Sequence, residues 1–197
     1  MNEVKEVVSK FHKITKKEIA ILDWLQEHVR SDALDVVMPL VTKLGSYGIV
    51  WIIIIIYLWT KKKYRKDGLI LAVALIIGLL IGNITLKPLI RRTRPYDVNT
   101  AFELLIPEQV DFSFPSGHSL SSFAAATVLF LTNKKLGIPA IMLASSIAFS
   151  RLYLYVHYLS DVVGGSIMGI VIGYATVKCF YRKNSGYRTK KRKMGKG

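Results

Sequence analysis

At 197 residues, with 51% hydrophobic side chains gathered into long runs, the chain has room for one domain, and its apolar surface suits lipid better than water. Lys and Arg number 28 against 13 Asp and Glu, a net charge of +15. The cations abut the apolar runs, at 61–66, 134–135 and 178–196, as in cytoplasmic loops of a membrane protein and unlike a nucleic-acid footprint. Cys179 is the only cysteine, which excludes an intramolecular disulfide and a cysteine-based metal site.

Residues 1–35 form a first segment without a continuous signal-peptide core, so the first membrane helix is expected to insert as its own anchor. Within it, 18–30 places Ile21, Leu22, Leu25 and Val29 on one helical stripe with charges opposite, which predicts an amphipathic helix lying on the bilayer with Trp24 at headgroup depth. A membrane domain is expected over 36–181. Its spans are predicted at 36–59, 68–86, 118–132, 138–155 and 159–180, each apolar and the third the shortest. The fold class is therefore all-α, an integral membrane bundle of about five transmembrane helices plus the N-terminal interfacial helix. Residues 182–197 read as a basic, disordered cytoplasmic tail.

Alternation of the spans puts the three basic segments on one side, the cytoplasmic one, and the connections 87–117 and 155–159 on the other. Gly165, Gly169 and Gly173 in the last span, and Gly78 and Gly82 in the second, recur four apart. Small residues at that spacing let membrane helices approach closely; packing within the chain is the favoured reading and a homodimer seam the weaker one.

Three clusters stand out: Lys87 with Arg94-Pro95, then Pro115-Ser116-Gly117-His118, then Ser150-Arg151 with His157 and Asp161. They supply three cations, two imidazoles, a carboxylate and a Ser-Gly turn at the mouth of a predicted helix, which suits them to holding a phosphate beside a membrane. Arg91 and Arg92 fall between the marked positions and read as solvated or lipid-facing charges, with a headgroup contact as the weaker reading. Tyr153, Tyr155 and Tyr158 read as an interfacial belt, and His12 and His28 as surface histidines.

The clusters resemble the signature of the type 2 phosphatidic acid phosphatase (PAP2) superfamily, Lys-x6-Arg-Pro, Pro-Ser-Gly-His and Ser-Arg-x5-His-x3-Asp, and match all eleven of its fixed positions. Many bacterial members have six spans, where this chain shows an interfacial helix and five. The resemblance implies a membrane lipid phosphatase working without a metal or other cofactor through a phosphohistidine. His157 would be the nucleophile, Asp161 would fix its tautomer, and His118 would serve as acid and then base. Lys87, Arg94, Arg151, Ser116 and the Gly117 amide would bind the phosphate. Undecaprenyl diphosphate is the first substrate it suggests, with phosphatidylglycerophosphate and phosphatidic acid as alternatives. From other classes, a vanadium haloperoxidase-like enzyme and a non-enzymatic lipid-binding protein stay open. The partners expected are the bilayer and a lipid phosphate, with no nucleic acid.

Overall fold

The computed structural model describes the backbone of residues 2–194 and the side chains of residues 15–182, and among these the regular structure is helical throughout. The main helices are α1 (Asn2–His28), α2 (Asp32–Gly45), α3 (Ile49–Thr60), α4 (Arg65–Gly78), α5 (Lys87–Ile90), α6 (Pro95–Val98), α7 (Gly117–Thr132), α8 (Lys134–Tyr153) and α9 (Leu159–Met194). Four stretches among the described residues are long and apolar enough to cross a membrane: Asp32–Thr60, Lys62–Val98, Lys134–Tyr153 and Leu159–Arg182. The shorter apolar helix α7 corresponds to the third expected span, 118–132. At about 1.5 Å per residue its 16 residues reach roughly 24 Å, short for a bilayer.

Helix α7 is the centre of the bundle and packs on α4, α8 and α9. The glycine stripe explains how α9 comes so close. A Cβ added to Gly165, Gly169 or Gly173 would stand 2.6, 2.4 or 2.7 Å from the carbonyl oxygens of Ser116, Leu120 and Ala124, so α7 of the same chain occupies that face. Gly78 and Gly82 admit the Leu120 side chain in the same way. A membrane-buried core gathers Trp51, Leu58, Ile70, Leu71, Leu129 and Ile147 between α3, α4, α7 and α8, with the Trp51 indole N–H donating to Ser122 Oγ at 3.2 Å. Ile53, Ile56, Ile84, Met142, Ile167 and Val171 are exposed on the outside, where acyl chains would cover them.

Two spans differ from the continuous helices expected. The first is broken at Ser46–Gly48, where Tyr47 (φ 53°) and Gly48 (φ 68°) are left-handed and the Ser46 hydroxyl donates back to Thr42 O at 3.2 Å. Reading 36–59 as one span by its average hydropathy passes over this break, although Gly45, Ser46 and Gly48 mark it. The second passes from α4 through a π-helical stretch, Leu79–Leu86, into α5; Thr85 Oγ1 donates to Leu80 O five residues back at 2.9 Å, a reach that fits the wider turn.

The stripe predicted on α1 is split between protein and surroundings. Leu22 and Leu25 are buried in a second core with Tyr96, Leu152, Val156 and Val162, whereas Ile21 and Trp24 are exposed. Tyr153, Tyr155 and Tyr158 are buried in that core as well, which corrects the interfacial-belt reading: Tyr153 OH donates to Asp35 at 2.6 Å and Tyr155 OH to Asp23 at 2.5 Å. The tail 182–197, expected to be disordered, follows the last apolar stretch of α9, whose helical backbone runs on to Met194; its side chains beyond residue 182 lie outside the described residues.

Candidate active site

The three clusters meet at one end of the bundle, where α5 and α6, the start of α7, the end of α8 and the start of α9 converge. Each local turn is built for this. Pro88 opens α5 and Arg91, left-handed at φ 50°, ends it, which swings the chain into 92–94. Arg94 is the N-cap of α6, with Pro95 in the first turn and Asp97 Oδ2 accepting the Arg94 N–H at 3.3 Å. Ser116 caps α7, its hydroxyl accepting from Ser119 N at 3.4 Å and from Ser119 Oγ at 3.0 Å. The Ser116 N–H in turn donates to Asp161 O at 3.1 Å, tying the second cluster to the third through backbone alone.

His157 sits in the short turn between α8 and α9, 1% exposed. Its Nδ1 lies 3.5 Å from Asp161 Oδ2 and 3.5 Å from Ser113 Oγ, and its Nε2 lies 3.4 Å from Arg94 Nη1. The ring thus presents one nitrogen to a carboxylate and the other to the cations. Burial first, then Arg151, Arg94 and Lys87, hold the His157 imidazole well below the ordinary histidine pKa, so it is neutral at physiological pH. Asp161 is wholly buried and fully subscribed: Ser113 Oγ donates to it at 2.5 Å, Tyr158 N at 2.9 Å and Arg92 Nη1 at 2.5 Å.

Around the ring, Arg94 spends its whole fork on protein. Nε donates to Asp111 O at 2.8 Å, Nη1 to Val156 O at 2.6 Å and Nη2 to Asp111 Oδ1 at 2.5 Å. Lys87 is paired with Asp111 Oδ2, so one carboxylate lies on two of the three predicted phosphate cations. The Asp111 side chain is itself 45% exposed. Burial alone would raise its carboxyl, but Lys87 and Arg94 outweigh burial and hold it below the usual carboxylate range. Arg151, buried, donates from Nη1 to Thr42 Oγ1 at 2.6 Å, while its Nε is buried without a partner. An unpaired buried guanidinium N–H is costly unless an anion engages it. His118, on the first turn of α7, pairs through Nε2 with Ser46 Oγ at 3.3 Å, at the break in the first span. Gly117 stands beside Asn83 of the π-helical stretch, whose Oδ1 would lie 3.0 Å from an added Cβ.

All eight predicted site residues therefore gather here: Arg94, His157, Asp161 and Ser116 are joined by direct contacts, Lys87 is joined to Arg94 through Asp111, and Arg151, His118 and Gly117 lie around them. Sequence reasoning missed Asp111, Ser113, Ser46 and Glu18, none of which carries a periodic or motif signal. It also misread Arg92. That side chain is neither solvated nor lipid-facing: it donates to Asp161, to Ser160 Oγ at 2.6 Å and to Glu18 Oε2 at 2.5 Å, and lies 3.9 Å over the Tyr158 ring.

A family model described as the PAP2 superfamily matches residues 67–185. An undecaprenyl-diphosphatase of Sulfolobus acidocaldarius is 33% identical over 138 residues, 68% of this chain and 66% of the relative. Phosphatidylglycerophosphatase B of Bacillus subtilis is 33% identical over 175 residues, 82% of each. The crystal structure of a transmembrane PAP2 type phosphatidylglycerolphosphate phosphatase from Bacillus subtilis superposes with a TM-score of 0.71 at 29% identity, covering 87% of both chains.

Proposed function

The chain belongs to the PAP2 superfamily, and from that membership and its site we propose that it is a membrane lipid phosphatase that transfers the phosphate to His157 and then to water. The observation that carries this reading is the His157 ring itself, buried, with Nδ1 toward Asp161 and Nε2 toward Arg94. A proton held on Nδ1 by Asp161 leaves the Nε2 lone pair facing the anion site, so Nε2 is the attacking atom.

Attack forms the N–P bond as the bond to the leaving oxygen breaks. His118 protonates that oxygen and later takes a proton from the water that cleaves the phosphohistidine. Negative charge on the equatorial oxygens meets the fixed positive charge of Lys87 and Arg94, the unpartnered Nε of Arg151 and the first amides of α7. These side chains supply the positive charge that a metal would otherwise bring, and on that ground the reaction is read as metal-independent.

Undecaprenyl diphosphate is the substrate we favour, supported by the Sulfolobus acidocaldarius relative named for it and by a charge distribution that favours an outward-facing site. The connections after α3 and α7, which hold Lys61–Lys63 and lead to Lys134, lie at the opposite end of the bundle from His157, in keeping with a cytoplasmic face there. Phosphatidylglycerophosphate is the second reading, because the relative with 82% coverage is named for that lipid. Phosphate release in detergent from a panel of prenyl diphosphates, phosphatidylglycerophosphate and phosphatidic acid tests both, with His157→Ala alongside. Release by wild type and loss of at least about a thousandfold in His157→Ala is expected, since losing a nucleophile removes the pathway. Release that survives in His157→Ala sinks the covalent mechanism.

A further inference from the structure

The helix read from sequence as a bilayer-surface segment reaches the active site from behind. Glu18 of α1 is 6% exposed and accepts two hydrogen bonds, from Ser160 N at 2.7 Å through Oε1 and from Arg92 Nη2 at 2.5 Å through Oε2. The other end of the same guanidinium, Nη1, donates to Asp161 Oδ1 at 2.5 Å and to Ser160 Oγ at 2.6 Å. A planar fork between two carboxylates fixes both, and the Tyr158 ring beneath it at 3.9 Å stops it from rotating away. Neither Glu18 nor Arg92 is among the matched signature positions.

We propose that Glu18 and Arg92 are positioning residues that hold the Asp161 carboxylate, and through it the His157 ring, so that α1 is part of the catalytic apparatus as well as a surface helix. The proposal rests on the reading of His157 as the nucleophile. Asp161 has two oxygens and two tasks: Oδ2 faces His157 Nδ1, and Oδ1 is the handle by which Arg92 sets its angle. The neighbouring Asp23 and Gln26 pin α1 to Tyr155 OH at 2.5 Å and Tyr153 O at 2.7 Å, so the helix that carries Glu18 is itself anchored on the turn that carries His157.

The test compares Glu18→Gln, Arg92→Gln and the double variant in purified full-length protein. Arg92→Gln should lower kcat about 10- to 100-fold with KM within about twofold, the loss typical of a partner that orients a reacting ligand. Glu18→Gln should lose less. The double variant should be no worse than Arg92→Gln, because Glu18 acts through Arg92.

Electrostatics add a signature that a mere fold brace lacks. His157 faces Arg94 on α6, Lys87 on α5, Arg151 on α8, His118 on α7, Asp111 in the connection before α7 and Asp161 on α9. Removing Arg92 leaves Asp161 fully available to an imidazolium, so the His157 titration moves to higher pH. Removing the Glu18 charge leaves Arg92 wholly on Asp161, so it moves lower. Nitrogen-15 shifts of labelled histidine, assigned with His157→Asn, read this without reference to turnover. If wild type releases no phosphate yet the two titrations move oppositely, the proposed function fails and the coupling stands. If wild type is active and neither kcat nor the titration moves, the positioning role is overturned while the function stands. If Arg92→Gln does not fold, Glu18→Gln, which keeps its amide oxygen for Ser160 N, carries the test. Misfolding of both makes the pair a structural brace and overturns the proposal.

Discussion

Under the proposed mechanism Gly165 links helix packing to catalysis, and its replacement tests that link. An alanine Cβ there stands 2.6 Å from Ser116 O and 3.4 Å from both Ser116 N and Leu120 N. The obstacle is backbone, so no rotamer change relieves it; reaching ordinary contact asks α9 to move about 0.8 Å from α7, in an interior that has little slack. Overpacking of this kind costs about 1–3 kcal/mol, and the better helix propensity of alanine returns up to about 1 kcal/mol, leaving a net loss of about 1 kcal/mol. The displacement falls one turn below Asp161, whose carbonyl holds the Ser116 N–H at 3.1 Å. A misplacement near 1 Å costs about a hundredfold in rate. Gly173→Ala meets Ala124 O at 2.7 Å, an equal overlap, but lies about 12 Å further along the helix. Both variants should lose a similar few degrees of thermal stability in detergent. Only Gly165→Ala should lose kcat, by about 10- to 100-fold, with Gly173→Ala within about twofold of wild type. Equal kcat losses in the two, or a folded Gly165→Ala with wild-type kcat, refute the coupling of this contact to the site.

Because burial and three cations depress the His157 pKa, the neutral nucleophile persists in acid, and the acid limb of kcat/KM should fall below pH 6.5; a limb at or above 6.5 refutes that environment. Asp111→Asn should tighten orthovanadate inhibition about 3- to 10-fold, since a carboxylate on Lys87 and Arg94 competes with an oxyanion for them, and EDTA should leave the wild-type rate within about twofold. Inhibition unchanged in Asp111→Asn removes the competition, and activity lost to EDTA and restored by Mg²⁺ removes the metal-free mechanism. In a Cys179→Ser background, a cysteine at Glu103 should react with an impermeant thiol reagent on intact cells and one at Lys62 only after lysis; the reverse pattern turns the site inward.

Much of the bundle was legible because apolar runs mark lipid-immersed helices without reference to partners. What hydropathy does not register is a change of backbone inside a run. Ser46–Gly48 interrupts the first span between Leu44 and Ile49, in a stretch apolar on both sides, and Leu79–Leu86 widens the second without a proline to announce it. The interfacial helix was half legible for a related reason. Amphipathic periodicity finds a stripe, but the stripe does not say whether lipid or protein covers it, and here Leu22 and Leu25 face the bundle while Trp24 does not.

The site divides along a similar line. The residues proposed to face the phosphate sit at set spacings because short turns must deliver them together, and other signature positions lie in the turns: Ser150 Oγ donates to Ile147 O at 2.7 Å at the end of α8, and Pro95 opens α6. The residues that hold those groups in place come from wherever the chain passes behind them. Glu18 lies 142 residues before Ser160, whose N–H it accepts, and Asp111 lies in a connection with no period to mark it. A carboxylate so placed has no local signature, since its identity is fixed by the charge it must meet across the fold. Arg92 shows how this misleads: beside Arg91 it looks like a second surface cation, yet Arg91, in the left-handed turn, spends its Nε on Pro88 O while Arg92 reaches inward to two acids. The left-handed backbone at Arg91, φ 50°, separates the two neighbouring cations, one hydrogen-bonded to its own turn and the other to two acids across the fold.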